Sequence, residues 1–112
     1  MKFMIAFAGT VLLLATIPAK AAYVSYSDWT SWPEMDRAIY IAGAFDQLTT
    51  IVGPASGQSY ADRYQTCLTR DRTTNVQLAQ NVRMFASARA DLQGVPVPVA
   101  LMQYLAFTCG SP

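Results

Sequence analysis

The chain has 112 residues, of which 53% are hydrophobic, with eight Lys and Arg, seven Asp and Glu, two Cys and no His. Both lysines, Lys2 and Lys20, lie in an apolar N-terminal segment, and the 91 residues after it carry six arginines and seven acids, a formal net charge of −1. This balance excludes a basic nucleic-acid-binding surface, and the length suits one small domain. With no His or Lys after the segment and a single Glu, most catalytic and metal-binding arrangements lack their groups, so we expect neither an enzyme nor a cofactor.

The N-terminal segment has the layout of a secretory signal peptide. Lys2 gives it a positive start, residues 3–17 carry no charge, and the small residues Ala19 and Ala21 stand where a signal peptidase cleaves. The uncharged run is shorter than the roughly 20 residues that cross a bilayer as a helix, and a retained anchor is the alternative interpretation. We therefore predict a signal peptide over residues 1–21 and export to the periplasm.

The mature domain, residues 22–112, contains both cysteines, Cys67 and Cys109, which are 42 positions apart with no His to share a metal ion. In an oxidising compartment, an isolated pair of this kind forms a disulfide. Closing so long a loop restricts the unfolded chain by about 4 kcal/mol in the chain-entropy model. A reactive thiol is the alternative, but nothing nearby in the sequence would lower its pKa.

The first long helix is predicted to begin at a capping box formed by Ser31 and Glu34, after an irregular aromatic lead-in over Tyr23–Thr30. Apolar residues then recur at steps of three and four, which predicts an amphipathic helix. The inward face comprises Met35, Ala38, Ile39, Ala42, Phe45, Leu48 and Val52. The opposite side is also partly apolar, with Tyr40, Ile41, Ala44 and Ile51. This helix is therefore expected to have neighbours on two sides.

Two further helices follow the turn-rich loop Gly53–Ser59. The first is short and is predicted to run to Leu68. The second is predicted to begin at a capping box that starts at Thr74 and to end at Asp91–Gly94. Gly94 suits a left-handed turn at that end.

The last helix is predicted from about Pro98 to Thr108, and it is apolar almost all round. Such a helix is either central in the core or covered by another chain. Because the first long helix also has an apolar second side, we predict a homodimer that buries part of one or both helices. The fold class predicted is all-α, a small four-helix domain with a short second helix, stapled by one disulfide.

Few side chains could carry chemistry, and each candidate has a structural alternative. The carboxylates that could form a glycosidase-type pair are Glu34, Asp36, Asp46 and Asp62. Glu34 and Asp36 are explained by their places at a helix N-terminus, and Asp36 and Asp46 do not share a helix face. Arg70 and Arg72 could bind an anion, but Asp71 between them reduces the local charge.

An aromatic cluster precedes the first long helix. It consists of Tyr23, Tyr26, Trp29 and Trp32. These rings could stack on a sugar or a peptide, or they could cover one end of a small helical core, which is the commoner use of such a cluster.

An ordered series of residues extends through the mature domain. A helix carries Tyr-Ile-x-Gly-x-x-Asp; a Cys follows, then Thr-x-x-Gln-Leu at a second helix, an extended proline segment, and an apolar helix ending in Cys. The residues are Tyr40, Gly43, Asp46, Cys67, Thr74, Gln77, Leu78, Pro96 and Cys109. This order resembles the Tai/Rap family, small periplasmic immunity proteins of type VI secretion systems, from about Met35 to Cys109.

The resemblance implies a protein that binds and blocks a cell-wall-degrading effector, commonly a peptidoglycan amidase, and needs no catalytic residue of its own. Within the motif, Gly43 would let another helix approach closely, and Tyr40 and Asp46 would hydrogen-bond neighbouring segments, which are packing roles. The alternative function is a periplasmic acid-stress holdase chaperone, which would gain positive charge at low pH. The chain lacks the lysine-rich tails of such chaperones. A small hydrolase is a third hypothesis.

A partner-binding loop is predicted from the same reasoning, since ordering a flexible loop on binding costs affinity. The loop Gly53–Ser59 has two glycines, whereas the segment Asp91–Pro98 begins at a helix end and has two prolines that restrict the backbone. The contact residues predicted are Asp91, Leu92, Gln93, Gly94 and Val95. The alternative is that the valines of this segment, Val95 and Val97, simply pack under the helix junction.

Overall fold

The computed structural model describes residues 23–51 and 60–110, so the predicted signal peptide and the loop Gly53–Ser59 lie outside the described residues. The helices are α1 (Tyr26–Thr30), α2 (Glu34–Ile51), α3 (Tyr60–Arg70), α4 (Asn75–Ser87) and α5 (Val97–Cys109), with a 3-10 turn at Ala90–Leu92. No strand is present in the described ranges. The predicted all-α class is confirmed, with four longer helices and one short helix that the sequence did not indicate.

The N-terminus of α4 forms as its sequence predicts. The Thr74 hydroxyl accepts a hydrogen bond from the Gln77 backbone N–H at 3.1 Å, and the Gln77 side-chain oxygen accepts one from the Thr74 N–H at 2.9 Å. Both groups would otherwise lack intrahelical partners. This capping box is confirmed, and it depends only on residues three positions apart.

The segment before α2 differs from its prediction. Ser25 caps α1, and its hydroxyl accepts from the Asp28 N–H at 3.2 Å. The Ser31 hydroxyl donates to the Asp28 carbonyl at 2.6 Å, so Ser31 closes α1 rather than forming a capping box with Glu34. Arg37 is buried, and its guanidinium donates to the carbonyl oxygens of Thr30 (3.4 Å) and Trp32. These bonds tie α1 to the start of α2.

The core lies between α2, α4 and α5, with α1 and the 3-10 turn closing one end. Its largest fully buried side chains are Trp29, Ile41, Val82, Leu92, Val97, Leu101 and Leu105. Burial of such side chains supplies most of the favourable free energy of folding in a domain of this size. The fully buried residues of α5 show that the last helix is central in the core.

The inward face of α2 is rotated relative to the prediction. Ile41 is 0% exposed, whereas Met35 and Ile39 are 61% and 67% exposed. The predicted face is therefore wrong for Met35 and Ile39, and Ile41 is not available for the predicted dimer. Apolar residues occur on both sides of this helix, so its periodicity fits two faces, and packing against α4 and α5 selects one of them.

The disulfide between Cys67 and Cys109 is formed, with an S–S distance of 1.99 Å and a Cα–Cα distance of 5.8 Å. It joins α3 to the last residue of α5. The predicted pairing is confirmed, and a disulfide of this kind indicates an oxidising, exported location.

Left-handed backbone occurs at two places other than the one predicted. Within the described residues, positive φ angles are found at Arg72 (52°) and Gly110 (82°), and Gly94 has none. Gly94 was predicted to end the third long helix with such a turn. That helix instead ends at Ser87, and a 3-10 turn with no left-handed residue follows it.

Candidate partner-binding surface

Residues 93–97, which follow the 3-10 turn and lead into α5, are hydrogen-bonded to residues 24–27. Tyr26 N–H donates to the Val95 carbonyl at 2.8 Å, Ser27 N–H to the Gln93 carbonyl at 3.0 Å, and Val97 N–H to the Val24 carbonyl at 3.0 Å. An antiparallel bridge pairs Ser25 with Pro96. These bonds link positions about 70 residues apart in the chain and give the predicted partner-binding loop one defined backbone path.

Two of the predicted contact residues point into the protein. Leu92 is 1% exposed and belongs to the core, so its predicted role as an apolar contact is wrong. The Gln93 side-chain amide donates to the carbonyls of Ala86 (2.9 Å) and Arg89 (3.0 Å), which ties it to the end of α4 and the residues just after it. The alternative, that the valines pack under the helix junction, is correct for Val97, which is 0% exposed. Asp91 and Gly94 are exposed and Val95 is half-buried.

Asp91 forms a two-point ion pair beside this segment. Arg89 donates from Nε to Asp91 Oδ1 at 3.1 Å and from Nη2 to Oδ2 at 2.6 Å. The hydrogen bond from Arg89 holds the pKa of the Asp91 carboxyl below its ordinary value, and the same bond raises the pKa of Arg89. The pair is open to solvent, so it contributes little to stability, but it orients both groups at the surface.

Two phenylalanines extend this surface across α4 and α5. The Arg89 guanidinium lies 5.7 Å from the centroid of the Phe85 ring, and the centroid of the Phe107 ring lies 5.4 Å from that same centroid. Tyr104 supports Phe85 edge-on at 5.9 Å. Phe107 is 78% exposed, the largest value among the exposed hydrophobic residues of the described ranges. We call Phe85, Arg89, Asp91 and Phe107 the aromatic–arginine surface.

Of the four residues of this surface, only Asp91 was singled out from the sequence. Phe107 was one apolar residue in a helix that is apolar almost all round. The spacing of residues close in sequence could have indicated part of this surface. Arg89 follows Phe85 by four positions and precedes Asp91 by two, a spacing that lets its side chain meet both.

The motif residues Tyr40, Gly43 and Asp46 have different surroundings on α2. Tyr40 is half-buried and meets the Trp32 ring edge-on at 5.5 Å, and burial raises its pKa. Gly43 is exposed, and no atom lies within 4 Å of the position a Cβ would take. The predicted close approach of another helix at Gly43 is therefore wrong for the described residues. Asp46 is exposed.

The aromatic cluster is largely structural. Trp29 is 0% exposed and its indole N–H donates to the Arg37 carbonyl at 3.3 Å. Tyr26 is 2% exposed, and its hydroxyl donates to the Arg83 carbonyl at 2.7 Å. Burial raises the pKa of Tyr26, with a smaller opposing effect of Arg83. These two rings cover one end of the core, as the structural alternative predicts, whereas Tyr23 is mostly exposed.

The structure separates Asp36 from Asp46 and pairs one of the two candidate arginines. Asp36 and Asp46 lie ten residues apart on α2, about 15 Å along its axis, beyond the separation of a glycosidase pair. Arg70 pairs with Asp71 at 3.3 Å in an exposed turn. No group of three His, Cys, Asp or Glu side chains that could hold a metal ion occurs in the described ranges.

In the part of the chain that the structure describes, no helix is long and apolar enough to span a membrane. Comparison with protein-family models, with curated proteins and with solved structures finds no match to this chain.

Proposed function

We propose that this protein is a periplasmic immunity protein that binds and inhibits a cell-wall-degrading effector of a type VI secretion system, a peptidoglycan amidase. It acts by occupying the effector and performs no chemistry of its own. The order of motif residues along the chain, the helical fold and the disulfide that indicates export support this proposal.

The aromatic–arginine surface is the observation that carries the proposal. Exposed aromatic and arginine side chains dominate the binding free energy of many protein interfaces. Covering Phe107, which is 78% exposed, would remove apolar area from water and contribute about 1.5–3 kcal/mol. Arg89 is already oriented by Asp91 and by the Phe85 ring, so less side-chain freedom is lost on binding.

The support beneath this surface is rigid. Phe107 lies two residues before Cys109, whose disulfide ties the last turn of α5 to α3. Asp91 lies in the 3-10 turn, and the backbone directly after that turn is bonded to the N-terminal segment. A surface held at both ends in this way presents its contacts in one arrangement, which is what a tight inhibitor requires.

The proposal is tested by inhibition of the amidase. Phe107→Ala and Arg89→Ala are each expected to raise the inhibitor concentration that halves peptidoglycan hydrolysis by about 30-fold, which corresponds to about 2 kcal/mol of binding free energy. Met35→Ala is the matched control, because Met35 is 61% exposed but lies at the start of α2. The Met35→Ala variant should inhibit the amidase as strongly as the unmodified protein does.

All three variants remove exposed side chains, so circular dichroism should show unchanged helix content. If folded Phe107→Ala and Arg89→Ala inhibit the amidase as well as the unmodified protein does, the surface assignment is wrong. Leu92→Asp is unsuitable for this test, because it would place a charge in the core and unfold the domain.

A further inference from the structure

A polar cavity of about 300 Å³ lies where the turn between α3 and α4 meets α4 and α5. None of the four residues of the aromatic–arginine surface lines it. Its volume is at the lower end of the range in which proteins bind small molecules. Leu68 is the one apolar residue of the lining, and the polar residues are Asp71, Thr73, Gln77, Asn81, Tyr104 and Thr108.

Two helices bring pairs of polar residues to this cavity. On α4, Gln77 and Asn81 are four positions apart, and on α5, Tyr104 and Thr108 are four positions apart, so the members of each pair are neighbours on one helix face. α5 is otherwise apolar except for Gln103 and its terminal cysteine. The polar side chains of this helix are therefore concentrated at the cavity.

The hydroxyl of Tyr104 is a buried ring's polar end without a protein partner. Tyr104 is 9% exposed, and its ring packs edge-on against Phe85 at 5.9 Å. Its hydroxyl has no hydrogen-bond partner in the described ranges, and no buried side-chain oxygen is left unpaired there, so the hydroxyl reaches solvent at the cavity that Tyr104 lines. The hydroxyl of Tyr26, another buried ring, instead donates to the Arg83 carbonyl at 2.7 Å. A ring fixed by packing thus presents one donor and acceptor to a ligand at a defined position.

Other hydrogen-bonding groups of the cavity are also available to a ligand. The Gln77 side-chain oxygen accepts from the Thr74 N–H at 2.9 Å, which fixes the side chain and leaves its amide N–H groups as donors. The Asn81 amide and the Thr108 hydroxyl have no hydrogen-bond partner among the described residues. The two helices therefore hold several donors and acceptors around one small volume.

We propose that this cavity binds one pyranose ring of a neutral sugar. Asp71 is the only residue of the lining with a formal charge, which disfavours an anion, and its pairing with Arg70 at 3.3 Å weakens its attraction for a cation. Each sugar hydroxyl donates one hydrogen bond and accepts two, which matches the amide and hydroxyl side chains of the cavity. Leu68 offers an apolar contact to the C–H groups of the ring. The inference goes beyond the proposed function and does not depend on it.

Titration of the isotope-labelled exported protein with N-acetylglucosamine, galactose and glucose, followed by amide NMR, tests the proposal. At least one of these sugars should shift the side-chain amide signals of Asn81 and Gln77 saturably, with a dissociation constant of about 1–10 mM, as expected for a few hydrogen bonds between neutral groups. Tyr104→Phe removes only the hydroxyl and should raise that constant about fivefold. The same variant should leave the free energy of unfolding unchanged, because the hydroxyl has no protein partner to lose.

Two matched controls separate this site from general effects on the surface. Tyr23→Phe removes the hydroxyl of a tyrosine that is 64% exposed, and Gln80→Ala removes an exposed amide of α4; neither residue lines the cavity. Both variants should bind the sugar as the unmodified protein does. The proposal is overturned if none of the three sugars gives saturable shifts, or if the shifts are confined to residues away from the cavity. It is also overturned if Tyr104→Phe binds as tightly as the unmodified protein, or if the controls weaken binding equally.

Discussion

Replacing Trp29 with alanine is expected to lower the free energy of unfolding by about 3–5 kcal/mol. Trp29 is 0% exposed, its ring lies 6.1 Å from that of Tyr26, and its indole N–H donates to the Arg37 carbonyl. The substitution leaves a large cavity and removes the indole hydrogen bond at the α1–α2 junction. A domain of about 90 residues has a total stability of about 5–14 kcal/mol, so this loss removes a large part of it.

Urea unfolding followed by circular dichroism measures this effect. Trp32→Ala is the matched control, because the Trp32 ring is only partly buried and meets Tyr40 edge-on at the surface. Trp32→Ala should lower the free energy of unfolding clearly less than Trp29→Ala does. Trp29→Phe keeps an aromatic ring but removes the N–H donor, and its loss should fall between the two. Equal losses for the two alanine variants would contradict the view that α1 is part of the core.

Removing the disulfide is expected to cost about 4 kcal/mol, because the Cys67–Cys109 bond closes a loop with a sequence separation of 42. The double variant Cys67→Ala, Cys109→Ala avoids leaving a free thiol. α3 should be affected most, since it makes fewer contacts with α2 and α5 than α4 does. Urea unfolding of the variant and of the reduced, unmodified protein should give the same lowered midpoint.

Thiol titration supplies the check on this prediction. The unmodified protein, unfolded without reductant, should show no free sulfhydryl, because both cysteines are bonded. Two free sulfhydryls, or an unfolding midpoint that reduction does not change, would contradict the stabilising role of the bond.

Three features formed as the sequence predicted. The capping box at Thr74 and Gln77 needs only residues within one helical turn, and it forms as predicted. The disulfide followed from the count of two cysteines and the expected compartment, without any knowledge of geometry. The all-α class followed from helical periodicity and the absence of strand-type alternation.

Features that depend on packing between distant segments were not predictable. α1 has five residues, too few for a periodic pattern, and it is fixed by Trp29 and by its bonds to the segment before α5. The inward face of α2 was misjudged because both sides are apolar. Leu92 occupies a turn in which sequence alone does not distinguish a buried residue from a contact residue, and the core below the turn buries it.

The candidate site shows the same division. Arg89 forms a two-point pair with Asp91 and lies over the Phe85 ring. These three residues are close in sequence, so their spacing could have indicated both contacts. Phe107 comes from another helix, and its exposure depends on how α5 lies against α4. Composition and periodicity carry no information about that placement.

The most direct test of the immunity role is a contact competition between a strain lacking this gene and its otherwise identical parent. The deletion strain is expected to lose viability beside the parent and to survive beside a parent whose type VI apparatus is inactive. The unmodified gene should restore survival, and the Phe107→Ala gene should restore it less well at equal protein level. Equal survival of the deletion strain beside both parents would contradict the proposed function.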